Sequence, residues 1–340
     1  MDGNSSYRHT NTVILSVTAA EAPDVIASSW FEEQLASTLT RLGLRPGLLE
    51  GLAGIRERRW WPDGVRFVDA AVDAGERALA ESGVDRDRIG LMINSSVSRE
   101  NLEPSSAVEI HHRLGMPSAC TNFDLANACL GFVNGMHMAA SMIDAGHIDY
   151  ALVVDGEDSR PVQERTLARL AEGVATTEDV MNEFATLTLG SGGAAMVLGR
   201  ADRHPEGHRL VGGISRAATE HHLLCVGDND LMRTDTRGLL DAGLELAESA
   251  WKEALLDNDW QDMDCYVLHQ VSQVHTSALC ERLDIDASKA PLTFPEFGNI
   301  GPASVPFTLA RQSEQLQVGD RVLCMGIGSG LNTAFCEITW

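Results

Sequence analysis

A cysteine at residue 129 occupies the most reactive setting in the sequence. Cys129 lies in NFDLANACLGFVNG, where a short segment of mixed polarity gives way to the apolar helical pattern of residues 131–146. A thiol at the start of a helix faces unpaired backbone N–H groups and the positive end of the helix dipole, which lower its pKa and favour the thiolate. Gly131 allows a close backbone approach in a tight turn into the helix. This setting predicts a nucleophile, although a cysteine with no reactive neighbours is ordinarily an inert buried side chain.

Two later residues could serve such a nucleophile. His269 ends an apolar run in VLHQVSQVHT, where a side chain projects beyond a sheet edge into the usual site of α/β enzymes. Asn299 lies in EFGNIGPASVP, a Gly- and Pro-rich loop that can bring a side-chain amide into a pocket. Each residue alone is as consistent with a structural role. Their interest lies in the order Cys129, His269 and Asn299 along the chain.

The composition excludes several other classes of protein. The chain has 340 residues and 44% hydrophobic content, enough for a large core. Acidic residues outnumber basic ones 49 to 26, and the net charge of -23 repels nucleic acid. No stretch has the roughly 20 apolar residues of a membrane span, and the first residues lack a basic start before an apolar run. We therefore expect a cytoplasmic protein with no nucleic-acid partner and no membrane span.

The cysteine pattern argues against both disulfides and metal. The seven cysteines form an odd, scattered set without CxxC spacing, which is typical of neither a disulfide framework nor a zinc site. Most are expected to be small buried apolar side chains. They are Cys120, Cys129, Cys225, Cys265, Cys280, Cys324 and Cys336.

Alternating apolar runs and helical patterns predict an α/β fold. Runs rich in Val, Ile and Leu suit strands that are covered on both faces. These runs span residues 89–97, 150–157, 193–200, 265–272 and 321–330. The helix candidates span residues 67–83, 131–146 and 237–257. Because the segment 131–146 is apolar almost all round, it should form a core helix.

A weak internal sequence repeat suggests two similar halves. Residues 187–200 and 324–338 both run through Gly-Ser-Gly into a closing strand, although such turns are common. The polar, turn-rich segment 204–213 lies between the two occurrences. We place the boundary near residue 205, which gives an N-terminal half of residues 1–205 and a C-terminal half of residues 206–340.

The order and setting of Cys129, His269 and Asn299 resemble the thiolase superfamily, in particular its ketoacyl-ACP synthase III branch. The resemblance implies a duplicated five-layer αβαβα fold, a dimer, and a catalytic triad of these three residues. It extends in the same order over nearly the whole chain. The matching stretches are AGIRERR (53–59), NACLGFVNG (127–135), LHQVS (268–272), GNIGPASVP (298–306) and GIGSGLN (326–332).

Within that branch, the closest likeness is to the enzymes that begin olefin biosynthesis by joining two fatty acyl-CoA molecules head to head. It rests on INSSVSRENLEPSSA (93–107), YALVVDGE (150–157) and the GIGSGLN segment. In that group, the position of Glu103 supplies a base that reaches the site of the neighbouring subunit of a homodimer. Without the family likeness, we would interpret Glu103 as an ordinary solvated loop carboxylate.

The resemblance also implies a mechanism. Cys129 takes the acyl group of one acyl-CoA, and His269 and Asn299 stabilise the enolate of a second after Glu103 removes its proton. Attack on acyl-Cys129 and hydrolysis give a 2-alkyl-3-keto acid. CoA thioesters are substrates, and no cofactor is expected. The candidates for an oxyanion hole are the backbone amides of Cys129, Gly328, Ser329 and Gly330.

The chain differs from the family at one position, and two alternative functions remain open. Synthase III enzymes generally have an aromatic residue and an arginine shortly before the segment matched by AGIRERR, where this chain has Leu52. The nearest candidates for a basic CoA entrance are Arg56, Arg58 and Arg59.

The first alternative function is that of a decarboxylating ketoacyl-ACP synthase III, which uses malonyl-ACP and needs no base such as Glu103. The second is one subunit of a heterodimeric condensing enzyme.

Overall fold

The computed structural model describes residues 6–340. It contains fourteen strands and twelve helices, besides four single-turn 3₁₀ segments. The strands are β1 (Ser6–Arg8), β2 (Thr12–Glu21), β3 (Asp24–Ala27), β4 (Glu57–Trp60), β5 (Ile89–Asn94), β6 (Thr121–Asp124), β7 (Tyr150–Glu157), β8 (Gly192–Arg200), β9 (His208–Ala217), β10 (Cys225–Gly227), β11 (Met232–Thr234), β12 (Cys265–Leu268), β13 (Arg321–Gly328) and β14 (Asn332–Thr339). The helices are α1 (Ser28–Gln34), α2 (Ala36–Leu42), α3 (Leu48–Ala53), α4 (Phe67–Ser82), α5 (Ser106–Arg113), α6 (Gly131–Asp144), α7 (Arg160–Ala171), α8 (Thr177–Leu187), α9 (Thr236–Ala254), α10 (Gln273–Leu283), α11 (Phe294–Phe297) and α12 (Ser304–Gln312).

The main sheet consists of two half-sheets with the same topology. One half has the order β6-β5-β7-β8-β2, and the other has β12-β13-β14-β9, with β1 added to β9. In the first half β5 and β7 are parallel, whereas β8 is antiparallel to both β7 and β2. The second half repeats this pattern, because β12 and β13 are parallel and β14 is antiparallel to both β13 and β9. Within residues 6–340, strand pairing joins the two half-sheets where Val13 and Ile14 of β2 pair with β9.

The helices complete five layers. Helix α6 contacts β5, β7 and β8 of one half-sheet and β13 and β14 of the other, so it lies between them. Helix α12 lies beside it and contacts β2, β8, β12 and β13. Helix α4 covers the outer face of the first half-sheet, and α9 covers that of the second with α10 against it. The expected duplicated αβαβα fold is confirmed.

The apolar runs predicted most of the strands and helices that form the core. Predicted segments 150–157, 193–200 and 321–330 match β7, β8 and β13, and segments 67–83, 131–146 and 237–257 match α4, α6 and α9 within a few residues. Helix α6 is buried on nearly every side, as its apolar pattern predicts. The predicted strands 89–97 and 265–272 are too long, because β5 ends at Asn94 and β12 at Leu268. Two polar residues beyond those ends, Ser96 and His269, line the cavity described below.

The proposed division at residue 205 falls in the turn between β8 and β9, the last strand of one half-sheet and the first long strand of the other. Whether residues 1–205 and 206–340 are separate units stays a prediction. Within residues 6–340, no helix is long and apolar enough to cross a membrane. The same residues contain no group of three or more His, Cys, Asp or Glu side chains that could hold a metal ion.

Candidate active site

One large cavity brings the three predicted site residues together. It has a volume of about 1270 Å³, above the usual range of roughly 300–1,000 Å³ for small-molecule sites. Cys129 comes from the start of α6 in the first half, whereas His269 and Asn299 come from loops of the second half. The duplicated fold therefore creates the site, since neither half supplies all three residues.

A strained turn presents Cys129 at the start of α6. Ala128 has a φ of 45°, a left-handed conformation that costs a non-glycine residue roughly 1–3 kcal/mol. A Cβ atom at position 131 would lie 2.9 Å from the carbonyl oxygen of Ser95 and 3.0 Å from that of Leu125, so this position requires the glycine present. The predicted tight turn is confirmed, and the backbone on both sides of the thiol is fixed by packing.

The protonation state of Cys129 is the opposite of the one predicted from its place at a helix start. Burial, together with the nearby carboxyl groups of Glu157 and Asp155, raises the pKa of the Cys129 thiol to about 12. The expectation of a lowered pKa is therefore wrong, because desolvation and negative neighbours outweigh the helix dipole. The resting residue is a neutral thiol, which must lose its proton during the reaction.

His269 contributes a neutral imidazole to the cavity. It directly follows β12, and its backbone N–H donates to the carbonyl oxygen of Met325 at 2.9 Å. Burial, with a smaller effect of His275, lowers the pKa of His269 to about 4, so the imidazole is neutral near pH 7. Its Nδ1 atom is buried and has no hydrogen-bond partner among residues 6–340. A neutral ring can accept a proton and can also donate from its other nitrogen.

Hydrogen bonds fix the side chain of Asn299. The backbone N–H of Gly301 donates to Asn299 Oδ1 at 3.0 Å, which leaves the NH₂ group as the end available to the cavity. The main chain of Asn299 accepts from the N–H of Gly190 at 2.9 Å and donates to the carbonyl oxygen of Thr188 at 3.0 Å. The Gly-Ser-Gly turn of the first half thus holds the loop that carries Asn299. The arrangement presents a hydrogen-bond donor of fixed orientation.

The Gly-Ser-Gly turn of the second half packs against the nucleophile turn. A Cβ atom at Gly328 would lie 2.8 Å from the carbonyl oxygen of Asn127. The side chain of Asn127 accepts a hydrogen bond from Asn332 Nδ2 at 3.1 Å. Among the oxyanion candidates of this turn, Gly328 and Ser329 line the cavity and Gly330 does not. An oxyanion role for these amides or for that of Cys129 stays a prediction.

Glu103 does not reach the cavity of its own chain. Its side chain is exposed, although the preceding residues Asn101 and Leu102 line the cavity mouth. Leu102 is 92% exposed, an unusual setting for a large apolar side chain. Within one chain, Glu103 is therefore separate from Cys129, His269 and Asn299.

The three arginines expected at a CoA entrance do not line the cavity. Arg58 is fully buried, and its guanidinium donates to Ser28 Oγ at 2.8 Å and to the carbonyl oxygen of Leu187 at 2.7 Å. This burial lowers its pKa to about 9. Arg56 and Arg59 form ion pairs with Glu296 and Glu57. The burial of Arg58 leaves its guanidinium no access to a bound CoA, whereas a role of Arg56 or Arg59 at a CoA entrance stays a prediction. The arginines that line the cavity are Arg66, Arg99 and Arg165.

A buried carboxyl group also lines the cavity and was missed in the sequence. Glu157 accepts from the backbone N–H groups of Val97 at 2.6 Å and Ser98 at 3.0 Å, and from Ser98 Oγ. Gly156 faces α4, since a Cβ there would overlap the carbonyl oxygen of Phe67, so Asp155 and Glu157 project from the opposite face of β7. Among residues 6–340, neither carboxyl group has an ion pair. Two acidic residues inside the apolar run YALVVDGE are the signal that could have revealed them.

Burial and mutual repulsion set the protonation of this pair. Burial raises the pKa of Glu157 to about 7, and burial with the neighbouring Glu157 raises that of Asp155 well above its ordinary value. Two adjacent carboxyl groups without a cation cannot both ionise easily. The pair therefore holds at least one proton near neutral pH, and it lies near enough to Cys129 to affect the pKa of the thiol.

Comparisons with known proteins agree with this fold and site. Models of the 3-oxoacyl-[acyl-carrier-protein (ACP)] synthase III family match residues 123–213, and residues 256–340 for its C-terminal part. The chain is 45% identical to an acyl-CoA:acyl-CoA alkyltransferase of Xanthomonas campestris, over 97% of this chain and 99% of that protein. It is 34% identical to an acyl-CoA:acyl-CoA alkyltransferase of Shewanella oneidensis, over 98% and 100% of the two chains.

A solved structure of a similar protein has the same fold. The Xanthomonas campestris OleA, as a cysteine-to-serine variant with bound lauric acid and lauroyl-CoA, superposes with a TM-score of 0.95 and 44% identity, over 98% of this chain and 100% of that one. The five-layer fold and the cavity shared by its halves define a thiolase-fold acyltransferase of the condensing type. The chain belongs to the 3-oxoacyl-[acyl-carrier-protein] synthase III family, with the acyl-CoA:acyl-CoA alkyltransferases among its relatives.

Proposed function

We propose that this enzyme joins two fatty acyl-CoA molecules head to head, without decarboxylation, to give a 2-alkyl-3-keto acid. The observation that carries the proposal is the joint position of Cys129, His269 and Asn299 on one large cavity, in a chain 45% identical to an acyl-CoA:acyl-CoA alkyltransferase. The cavity volume suits a substrate with a long apolar part. The reaction requires neither a metal nor a redox cofactor. A cytoplasmic location stays a prediction.

In the first step, Cys129 takes an acyl group. The neutral imidazole of His269 accepts the thiol proton as the sulfur attacks the thioester carbonyl of the first acyl-CoA. A new carbon–sulfur bond to Cys129 forms, the bond to the CoA sulfur breaks, and the proton leaves with CoA. A neutral thiol beside a neutral histidine supports this order, because charge develops only when the substrate is in place.

In the second step, a carbon–carbon bond forms. A base removes a proton from the carbon next to the carbonyl of the second acyl-CoA, and His269 and the NH₂ group of Asn299 donate hydrogen bonds to the resulting enolate oxygen. The fixed orientation of Asn299 supports this role. The carbanion attacks the acyl carbonyl and releases the Cys129 thiolate, which takes back a proton. Hydrolysis of the remaining thioester gives the keto acid and the second CoA.

The base in this proposal is Glu103 of a second copy of the chain. Its exposed side chain and the exposed apolar neighbour Leu102 support a position at an interface between subunits. Among residues 6–340, strand β6 is the last strand of its half-sheet and pairs with β5 alone, so this edge is open to a partner. In the homodimer, each subunit would supply a nucleophile to its own cavity and a carboxylate to that of its partner.

Incubation with a single saturated acyl-CoA and no malonyl donor tests the proposal. We expect mass spectrometry to detect the β-keto acid, or the ketone that it yields on losing CO₂. A condensed product that forms only with malonyl-ACP would contradict the proposal and favour the decarboxylating synthase. Activity that appears only with a second, related chain would favour a heterodimer.

A further inference from the structure

The loop that carries Glu103 begins and ends at one carboxylate, that of Asp124. Arg99 Nη2 donates to Asp124 Oδ2 at 3.3 Å. The backbone N–H groups of Ser106 and Ala107 donate to Asp124 Oδ2 and Oδ1 at 2.9 and 2.8 Å. Arg99 comes before Glu103 in the chain, and Ser106 comes after it. The segment between these two attachment points therefore leaves the sheet edge and returns to it, with Glu103 near its tip.

Other contacts hold this loop only weakly. Within residues 6–340, the backbone of residues 99–104 makes no hydrogen bond to another backbone group. Arg66 Nη1 donates to Glu100 Oε2 at 2.9 Å, but these side chains are 40% and 43% exposed, and ion pairs of such exposure contribute little to stability. The side chain of Asp124 is only 9% exposed, and its charge strengthens the hydrogen bonds that it accepts. The position of the loop therefore depends mainly on Asp124.

The main sheet fixes Asp124 in turn. Asp124 is the last residue of β6 and lies opposite Asn94, the last residue of the parallel strand β5. The buried side chain of Asn94 donates to Asp124 Oδ1 at 3.0 Å and accepts from Ser96 Oγ at 2.7 Å. Asp124 does not line the cavity, so it can affect the reaction only through the residues that it holds.

Capping of helix α5 explains only part of these contacts. In the described part of the chain, the side chain of Ser105 does not cap the helix that follows it, and the Asp124 carboxylate accepts from the first two N–H groups of the helix instead. A helix cap does not require the further bond to Arg99, which lies on the other side of Glu103. The two sets of contacts together fix both ends of the loop.

We propose that Asp124 is a positioning residue for Glu103. It holds the loop so that the carboxylate of Glu103 projects from its own subunit into the cavity of the partner. This inference rests on the proposed function, in which Glu103 removes a proton in that cavity. Loss of Asp124 would leave the Glu103 carboxylate intact but displace it, and a displacement of about 1 Å can slow a reaction about a hundredfold.

The first experiment separates acylation from coupling in the variant Asp124→Ala. At saturating acyl-CoA, coupling should be about 10- to 100-fold slower, whereas single-turnover acylation of Cys129, followed by intact-protein mass spectrometry, should change less than about twofold. Asp124→Asn retains one acceptor oxygen and should recover part of the coupling rate. Equal losses in acylation and coupling would overturn the inference, because they would indicate general damage to the cavity.

The matched control is Asp144→Ala. Asp144 also holds a neighbouring segment, since it accepts from the backbone N–H of Asn11 at 3.0 Å and from Thr12 Oγ1 at 2.7 Å. It does not line the cavity. Asp144→Ala should lower Tm, as should Asp124→Ala, but it should couple acyl-CoA at the wild-type rate. Slower coupling in both variants would overturn the inference, because loss of stability alone would then explain the effect.

The second experiment places Asp124→Ala on one subunit of a mixed dimer. One subunit carries Cys129→Ala and supplies Glu103, and the other carries Glu103→Gln and supplies Cys129, so one cavity has both groups. Asp124→Ala on the subunit that supplies Glu103 should slow coupling about 10- to 100-fold. The same change on the subunit that supplies Cys129 should have little effect, because the loop of that subunit no longer carries the base.

The reverse result would overturn the inference. A purely structural role of Asp124 predicts that the change is more harmful on the subunit with the working cavity, and equal effects on both subunits would also exclude positioning of Glu103. If the mixed dimer without Asp124→Ala is inactive although the wild type couples acyl-CoA, Glu103 does not act across the interface and the inference fails with it. A wild type that forms no coupled product contradicts the proposed function itself.

Discussion

Glu157 and Glu103, two glutamates with different roles in the proposed chemistry, occupy opposite settings. Glu157 is buried at the end of β7, accepts hydrogen bonds from Val97 and Ser98, and lines the same cavity as Cys129. Glu103 is exposed on a surface loop and does not line that cavity. A base must approach a carbon-bound proton with a free oxygen. The buried glutamate is therefore placed to control the nucleophile, and the exposed one is free to act on a substrate held by another subunit.

The hydrogen bonds of Glu157 explain why proximity alone does not make it the base. Both of its carboxylate oxygens already accept hydrogen bonds from Val97 or Ser98, so neither is free to turn towards a substrate carbon. Burial, together with the charge that Glu157 carries when it is ionised, raises the pKa of the Cys129 thiol and keeps the nucleophile protonated at rest. A buried negative charge in this position suppresses the reactivity of the free enzyme.

Removal of the nucleophile should have the largest effect. Cys129→Ala should abolish both CoA release and coupled product, because the variant lacks the thiol that takes the acyl group in the first step. Release of CoA is followed with a thiol-reactive dye, and product by mass spectrometry. Coupling at the wild-type rate would contradict the account of both glutamates, since both are interpreted through Cys129.

Loss of the exposed carboxylate should block only the second step. Glu103→Gln should release about one CoA per active site and then stall as an acyl-enzyme, because an amide cannot accept the proton. Intact-protein mass spectrometry would show the added acyl group. Glu103→Asp retains a carboxylate and should restore part of the turnover. Wild-type coupling by Glu103→Gln would reduce Glu103 to a surface carboxylate and remove the main reason to prefer acyl-CoA over malonyl-ACP.

The donors to the enolate should have an intermediate effect. Asn299→Ala and His269→Ala should each slow coupling by about two to three orders of magnitude, the range for lost oxyanion donors. Asn299→Ala should leave acylation nearly unchanged, whereas His269→Ala should also slow acylation, because the imidazole accepts the thiol proton. Single-turnover acylation and steady-state coupling separate the two steps. Equal effects of both variants on acylation would contradict this division.

Neutralising the buried glutamate should make Cys129 more reactive. In Glu157→Gln, the thiol loses its strongest negative neighbour, so its pKa falls and alkylation by iodoacetamide near pH 8 becomes faster, by about tenfold for each unit of pKa lowered. Peptide mapping follows Cys129, with Cys225, which also lines the cavity, as the internal control. Slower alkylation of Cys129 in the variant would contradict the electrostatic role.

The smallest expected effect is on pH-dependent stability. Burial raises the pKa of Glu157 to about 7 from an ordinary 4.5, so the folded state binds this proton more tightly than the unfolded chain. The resulting stabilisation is complete below about pH 4.5 and is lost as the pH rises towards 7. Glu157→Gln should therefore gain stability relative to the wild type between pH 5 and pH 8. The change in the difference between their free energies of unfolding should be on the order of 1–3 kcal/mol, and it is measured as a rise in the Tm of the variant relative to that of the wild type. A pH-independent difference would contradict an ionising Glu157.

The sequence predicted the parts of the site that depend on chain order. Apolar runs located β7, β13 and α6, and the segments around Cys129, His269 and Asn299 identified residues that the fold brings to one cavity. The protonation state of the Cys129 thiol could not be predicted in this way. It depends on carboxyl groups of β7 that approach Cys129 only when α6 packs on the half-sheet. The burial of Arg58 within the packing of the β3–β4 hairpin is likewise a tertiary effect.

The proposed role of Glu103 in the cavity of the partner subunit is tested most directly with a mixed dimer. It contains one Glu103→Gln subunit and one Cys129→Ala subunit and is purified with two different tags. If Glu103 acts across the interface, one cavity combines an intact Cys129 with the intact Glu103 of the other subunit. The mixed dimer should then couple acyl-CoA at about half the wild-type rate, although each variant alone is inactive. A mixed dimer as inactive as its parents would show that Glu103 does not act in the partner's cavity, and would contradict the account.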